Sequence, residues 1–286
     1  MKIYDCIVVG GGPAGAGAAL YTARAGLETA VVKMDGGALE KAKLIENYYG
    51  VGRITGKSLI KIGIENAKAA GAVFRTDEIL DIQYDGYFNI IGRKNSYKAK
   101  TVILATGSKR NRPNVKNLEG LEGRGVSYCA VCDGFFYKGK TVAVLGFKDY
   151  ALHEAEYLKN LAAKVILLTN GKPAPDSEFE TVTEKIKSIT GENRVTGALT
   201  GDGTEIAFDG LFVAYGTASG VDFAKKLGVE CDGPVIKTDA KMATAVPGVF
   251  AAGDCTGGLL QISKAVGEGA VAATSAISYL KKISKK

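Results

Sequence analysis

A chain of 286 residues that is 46% hydrophobic and holds 38 glycines can bury a large core and is long enough for two domains of ordinary size. Its net charge of +7 comes from 37 Lys and Arg against 30 Asp and Glu; four of the basic residues crowd the stretch Lys281-Lys282-Ile283-Ser284-Lys285-Lys286, and the rest are too diffuse for a nucleic-acid footprint. No run of about 18 apolar residues marks a membrane span, the N-terminus lacks the cleavage site of a secretory leader, and five cysteines, an odd number, suit a reducing cytosol, so the expectation is a soluble cytoplasmic protein.

Residues 3–9 form a continuous apolar run, the pattern of a buried parallel strand, and lead through Gly10-Gly11-Gly12-Pro13-Ala14-Gly15 into an Ala-rich helical stretch over 16–25. Gly10, Gly12 and Gly15 match G-x-G-x-x-G: the first makes the tight turn, the second admits a pyrophosphate to the backbone and the third lets the helix pack on the strand. A glycine-rich turn also occurs without a ligand; its place between strand and helix favours a dinucleotide. The acidic residue expected about 20 residues further on to hold the ribose is absent. The next strand runs Ala30-Val31-Val32-Lys33 into Met34-Asp35-Gly36-Gly37-Ala38-Leu39, and the ribose is expected to be held by this loop instead. Thr101-Val102-Ile103-Leu104 is a further apolar strand, ending in the small-residue turn Ala105-Thr106-Gly107.

Cys129-Ala130-Val131-Cys132 puts two sulfurs on one helical turn, where a helix N-terminus lowers a thiol's pKa, so the pair can close a small disulfide and pass two electrons onward. Half of a zinc site and two buried small residues are the alternatives; the rest of the chain offers only His153, Cys6, Cys231 and Cys255, none paired at ligand spacing. Lys140 to Leu145 reads as a strand, and Ala151, Ala155 and Leu158 mark one face of the helix after it. Between them, Gly146-Phe147-Lys148-Asp149 puts a long side chain where a second phosphate-binding turn needs glycine. The strand over 164–170 runs into Gly171-Lys172-Pro173-Ala174-Pro175, with neither the arginines that grip a 2′-phosphate nor an acid for a ribose. Finally, Val249-Phe250-Ala251-Ala252-Gly253-Asp254 is a strand ended by a carboxylate, suited to accept hydrogen bonds from the ribityl chain of a flavin or to cap a helix. The segment 259–280 reads as a helix.

These stretches, with Glu46-Asn47-Tyr48 and the run from Gly123 to Phe136 that contains Cys129, Cys132 and Asp133, resemble the low-molecular-weight flavin thioredoxin reductases over essentially the whole chain. The resemblance implies an α/β, two-domain thioredoxin-reductase-like flavoprotein. A discontinuous FAD-binding Rossmann-like domain is expected over 1–110 and 241–286, with an inserted Rossmann-like domain over 111–240 carrying the C-x-x-C. It implies FAD on Gly10, Gly12, Pro13, Ala14, Gly15, Lys33, Gly37, Ala38, Leu39, Ala105, Thr106, Gly107, Gly253 and Asp254, with Asn47, Gln261 and Ile262 near the isoalloxazine. The N–H groups that open the 259–280 helix are then placed to stabilise negative charge on the reduced ring.

Asp133 is implied as proton donor and acceptor for the thiols, a helix cap being its alternative. Cys132 is implied as the sulfur facing the ring and Cys129 as the one that attacks the disulfide of thioredoxin. One pair cannot meet both at once, so a domain reorientation is expected; a homodimer is expected as well. Three departures stand out: Lys148, the missing basic cluster after Asn170, and Gly216-Thr217-Ala218-Ser219-Gly220-Val221 where the family carries Gly-x-x-Pro-Asn. The region 177–200 also looks short for a nucleotide wrap. The chain therefore resembles the pyridine-nucleotide-independent branch, in which ferredoxin feeds electrons to FAD for thioredoxin reduction, and a basic enzyme suits an acidic ferredoxin. NADPH- or deazaflavin-dependent thioredoxin reduction, a flavin dithiol oxidase and a non-catalytic redox sensor are the rival readings.

Overall fold

The computed structural model describes residues 2–108 and 113–285. The N-terminal apolar run becomes β1 (Ile3–Val9), with Cys6, Ile7 and Val8 fully buried; cover on both faces is what a parallel strand requires. The chain continues through α1 (Pro13–Arg24), β2 (Thr29–Lys33), α2 (Gly56–Ala69), β3 (Val73–Thr76), the antiparallel pair β4 (Ile79–Tyr84) and β5 (Phe88–Gly92), and β6 (Ser96–Leu104). The strand order is β3-β2-β1-β6-β5-β4. β1 pairs in parallel with both β2 and β6, and the first residues of β6 pair antiparallel with β5.

A second series follows: β7 (Val126–Ser127), α3 (Ala130–Asp133), β8 (Thr141–Leu145), α4 (Asp149–Lys159), β9 (Lys164–Leu168), β10 (Glu180–Val182), β11 (Ile186–Thr190), β12 (Gly197–Thr200), β13 (Glu205–Ala207) and β14 (Gly210–Val213). Five of these strands form a parallel sheet in the order β10-β9-β8-β14-β7, and β11, β12 and β13 form a small antiparallel sheet. Half of the stretch 177–200 is taken up by the edge strand β10 and by β11 and β12.

The chain then runs through α5 (Gly220–Lys226), the short antiparallel pair β15 (Cys231–Asp232) and β16 (Val235–Ile236), β17 (Val249–Ala251) and α6 (Ile262–Ile283). β17 pairs in parallel with the last residues of β6, which completes the first sheet. α6 begins three residues later than the sequence suggests because the Gln261 amide turns back to the Leu259 oxygen at 3.0 Å and Gln261 itself is extended. Among the described residues no helix is long and apolar enough to cross a membrane.

Two compact units result, Met1–Lys109 with Ser219–Lys286, and Arg110–Ala218. The second crossing thus falls at 218/219, not at the expected 240/241. The reason is α5. Ser219 and Asp222 form a capping box that starts this helix, and the Lys226 ammonium lies 3.1 Å from the Asp81 carboxylate of β4 with both side chains at most 2% exposed. Separating a buried ion pair leaves two uncompensated charges, so 219–240 goes with the first sheet.

Candidate functional site

In the first unit β1 sends the chain through α1 to β2 on one side while β6 flanks it on the other, and such a reversal of order opens a ligand crevice at the strands' carboxyl ends. Its walls are the Gly10–Gly15 turn and the Ala105–Gly107 turn. Gly10 has φ +112°, and a Cβ there would stand 2.2 Å from the Ala105 carbonyl oxygen; at Gly15 it would stand 2.0 Å from the Gly10 oxygen. At Gly12 the nearest atom to such a Cβ is the Gly36 oxygen at 3.9 Å, so the middle glycine faces open space between the turn and the 35–39 loop. Pro13 opens α1, whose N-terminus carries no side-chain cap; the positive end of a 12-residue helix, with Ala14 and Gly15 in its first turn, is a ready anion site.

Lys33 lies across this turn, since a Cβ on Gly11 would meet its Cδ at 2.3 Å. The loop beyond is built locally: the Gly37 amide donates to Asp35 Oδ1 at 2.8 Å, the Gly36 amide donates to Glu40 Oε2 at 3.0 Å, and Gly37, at φ +72°, feeds Ala38 and Leu39 into a 3₁₀ turn.

Past β17, Gly253 at φ +86° turns the chain so that Asp254 is half-buried, and its carboxylate takes no hydrogen bond or ion pair from the described residues. Two residues on α6 that the sequence reading missed hold this turn. Lys264 Nζ donates to the Gly253 oxygen at 2.9 Å and to Thr256 Oγ1 at 3.0 Å. Glu268 Oε2 accepts from the Gly253 amide at 2.9 Å and from Thr256 Oγ1 at 2.8 Å, and it pairs with Lys264 at 3.0 Å. An i,i+4 Lys and Glu are visible in the sequence, but as an ordinary helix pair. Asn47 Nδ2 donates to Gln261 Oε1 at 3.1 Å, bringing together two segments far apart in the chain. Gln261 stands before the uncapped N-terminus of α6 at Ile262. Thr106 Oγ1 is buried without a hydrogen-bond partner and lies against Gly220. A backbone-lined phosphate turn, an uncapped helix and a half-buried carboxylate without a partner among the described residues fit the pyrophosphate and polyol of FAD.

In the second unit Cys129 and Cys132 are joined as a disulfide, with Cα atoms 5.3 Å apart. Cys129 caps the single turn of α3, and the Cys132 amide donates to its Sγ at 3.1 Å, a contact that stabilises a thiolate once the bond is reduced. The sulfurs differ in access: Cys129 is 3% exposed, Cys132 is exposed. Asp133 is held by Ser127, whose Oγ donates to Asp133 Oδ2 at 2.6 Å and accepts from the Cys129 amide at 3.1 Å. On the other side of the turn, Glu154 Oε2 accepts from the Ala130 amide at 3.0 Å. Ser127 and Glu154 carry no sequence signal, Glu154 being hidden among Ala151, Ala155 and Leu158 on the inward face of α4. Tyr137 has its phenol pKa raised by burial first and by the Asp133 charge second. Burial pushes the Cys6 thiol up to about 12 and the Cys255 thiol up to about 11, which leaves both unreactive near neutral pH.

The second parallel sheet has its own crevice, between the carboxyl ends of β8 and β14. Gly146 repeats the close approach of Gly10, a Cβ there lying 2.3 Å from the Ala214 oxygen and 2.5 Å from Ala151 Cβ. Phe147 then turns its ring edge-on to Tyr215, with centroids 5.1 Å apart at 69°, and the Lys148 and Lys172 ammonium groups lie 5.7 and 6.0 Å from the Phe147 ring centre. Lys148 is the N-cap of α4 and makes no side-chain cap. Asn170 Oδ1 accepts from the Ile186 amide at 2.8 Å and serves the fold.

The family described as pyridine nucleotide-disulphide oxidoreductase matches residues 4–269. A thioredoxin reductase of Listeria monocytogenes is 35% identical over 305 aligned positions, covering 99% of this chain and 95% of its own. Among solved structures, the atypical thioredoxin reductase TRi of Desulfovibrio vulgaris Hildenborough superposes with a TM-score of 0.92 at 43% identity, covering 97% of this chain and 98% of that one. A ferredoxin-flavin thioredoxin reductase of Clostridium acetobutylicum does so with a TM-score of 0.70 at 33% identity, covering 99% of each chain.

Proposed function

Because this chain belongs to the pyridine nucleotide-disulphide oxidoreductases and, among them, to the thioredoxin reductases, we propose that it draws electrons from a reduced ferredoxin and passes them through FAD and the Cys129/Cys132 pair to a thioredoxin disulfide, without NADPH or NADH. Thioredoxin reductases of this family bind FAD. FAD supplies a couple that accepts electrons singly and gives them up as a pair. Gly10, Gly12, Pro13, Ala14 and Gly15 would hold its pyrophosphate, and Asp254 its ribityl chain. Lys33 with Gly37, Ala38 and Leu39 would flank the ribose, Ala105, Thr106 and Gly107 would form the opposite wall, and Asn47, Gln261 and Ile262 would lie at the ring.

On this chain's side, two electrons and two protons open the Cys129–Cys132 disulfide to two thiols. One thiolate attacks a sulfur of the thioredoxin disulfide, forming a mixed disulfide and releasing one thioredoxin thiolate. The second thiolate then attacks its neighbour, restoring the Cys129–Cys132 bond and releasing the other thioredoxin thiol. Access favours Cys132 for the first attack and Cys129 for the second, the reverse of the order that the resemblance implies. Asp133, fixed by Ser127, is the group placed to take and return the thiol protons.

The observation that carries the ferredoxin reading is the second crevice. Phe147, Tyr215 and Lys148 stand where a pyrophosphate would have to approach the backbone, and neither a ribose-binding acid nor an arginine pair follows β9. The likeness to a ferredoxin-flavin thioredoxin reductase supports the same reading. The test is anaerobic bleaching of the flavin by NADPH, NADH, reduced ferredoxin and reduced deazaflavin in parallel. Rapid bleaching by ferredoxin alone is expected, and rapid bleaching by a nicotinamide at sub-millimolar concentration would overturn the proposal. A homodimer in a reducing compartment belongs to the same reading, and sedimentation of the holoenzyme tests its assembly.

A further inference from the structure

We propose that Glu154 is a positioning residue of the redox pair: a buried carboxylate on α4 that holds the backbone between the two cysteines and makes the dithiol a stronger reductant. The inference rests on Cys129 and Cys132 being the working disulfide of a thioredoxin reductase and is independent of the electron donor.

Glu154 is 2% exposed, and its Oε2 lies 3.0 Å from the amide of Ala130, the residue directly after Cys129. Ala130 and the inward neighbours Ala151, Ala155 and Leu158 are all fully buried. In such a setting a carboxylate is costly, and a neutral acceptor would hold the same amide for less. Thiolate character that appears when the disulfide opens is stabilised by the Cys132 amide at Cys129 Sγ. A second negative charge across the turn works against that thiolate, so the disulfide is favoured over the dithiol and the dithiol hands on its electrons more readily. The other ionisable groups on the packed elements are Asp133 and Tyr137 after the cysteines, Asp149, Tyr150, His153, Glu156, Tyr157 and Lys159 on α4, and Lys164 on β9. Asp133 is tied to Ser127 at the far end of the turn and adds charge of the same sign. Removing the Glu154 charge shifts the local potential towards positive whatever cations are nearby, so the sign of the effect is set.

The experiment compares the holoenzyme with Glu154→Gln and Glu154→Leu. The Cys129/Cys132 couple is equilibrated with glutathione redox buffers and read by thiol alkylation, and thiolate formation in the reduced protein is followed by ultraviolet absorbance against pH. Glu154→Gln keeps an acceptor for the Ala130 amide and loses the charge. It is expected to shift the equilibrium three- to tenfold towards the dithiol, about 15 to 30 mV less reducing, and to form thiolate at lower pH. Glu154→Leu loses the acceptor as well and is expected to slow thioredoxin exchange further; should it fail to fold, Glu154→Gln carries the test alone. A merely structural role leaves the potential and thiolate pH of Glu154→Gln unchanged, and that result, or a shift in the opposite direction, overturns the proposal. The glutathione readout needs no thioredoxin turnover, so it stands apart from any failure of the proposed electron route.

Discussion

Cys129 and Cys132 share one turn and differ in what surrounds them, and under the proposed function that difference sets their order of use. Cys129→Ser leaves the exposed thiol and is expected to trap a mixed disulfide with an activated thioredoxin at least tenfold faster than Cys132→Ser, which leaves the buried one; both should abolish turnover. Non-reducing electrophoresis over time checks this, and equal trapping rates would restore the order implied by the family. The buried thiol of Cys6 supports a second prediction. Its pKa is raised from 9.0 to about 12 by burial, so the folded protein holds that proton more tightly than the unfolded chain. The corresponding stability is present below pH 9 and is lost between pH 9 and about 12. At pH 10.5 the loss from this group is about 2 kcal/mol. Urea unfolding at pH 8 and 10.5 is expected to show a smaller drop for Cys6→Ala than for the natural chain.

At the scale of elements, the crevice depends on how closely α1 and α6 approach. A Cβ on Gly269 of α6 would stand 2.3 Å from the Ala14 carbonyl oxygen of α1, and one on Gly253 would stand 2.8 Å from Ala14 Cβ. Backbone against backbone leaves nothing flexible to yield. Gly269→Ala is therefore expected to push the helices apart and cost about 1–3 kcal/mol, lowering the melting temperature by several degrees and loosening FAD, because Ala14 belongs to the phosphate turn itself. Thermal unfolding with and without added FAD reads both effects; an unchanged melting temperature would mean that the helices slide without penalty. The Lys264 and Glu268 pair acts at the same scale, binding α6 to the turn that presents Asp254.

For the molecule as a whole, the basic charge is unevenly shared. Twenty-four Lys and Arg against sixteen Asp and Glu lie in the unit with the flavin crevice, and thirteen against fourteen in the unit with the disulfide. An acidic one-electron donor is drawn by long-range attraction to the first and not to the second. Under the ferredoxin proposal, the second-order rate of flavin reduction is expected to fall steeply as ionic strength rises, since the screening length shrinks from about 10 Å at 0.1 M to about 3 Å at 1 M. The thiol exchange should change far less. Anaerobic stopped-flow traces of the two half-reactions across a salt series measure the contrast, and a salt-independent donor step would remove the electrostatic part of the argument.

What the sequence determined by itself were the features written in neighbouring residues. The apolar run of β1, the glycines at 10 and 15, and the single helical turn from Cys129 to Cys132 follow from steric and periodic rules that act over a few positions. Lys148 in place of glycine was legible for the same reason. Tertiary structure decided what depends on residues far apart in the chain. The Lys226 and Asp81 pair moved the domain crossing to 218/219. Tyr215, two residues beyond β14, meets Phe147 edge-on at the second crevice. Ser127 and Glu154 lock the cysteine turn from β7 and α4, and the same packing buries one sulfur while leaving its neighbour open. Burial and partnership in three dimensions are sums over the whole fold, and no window of sequence contains them.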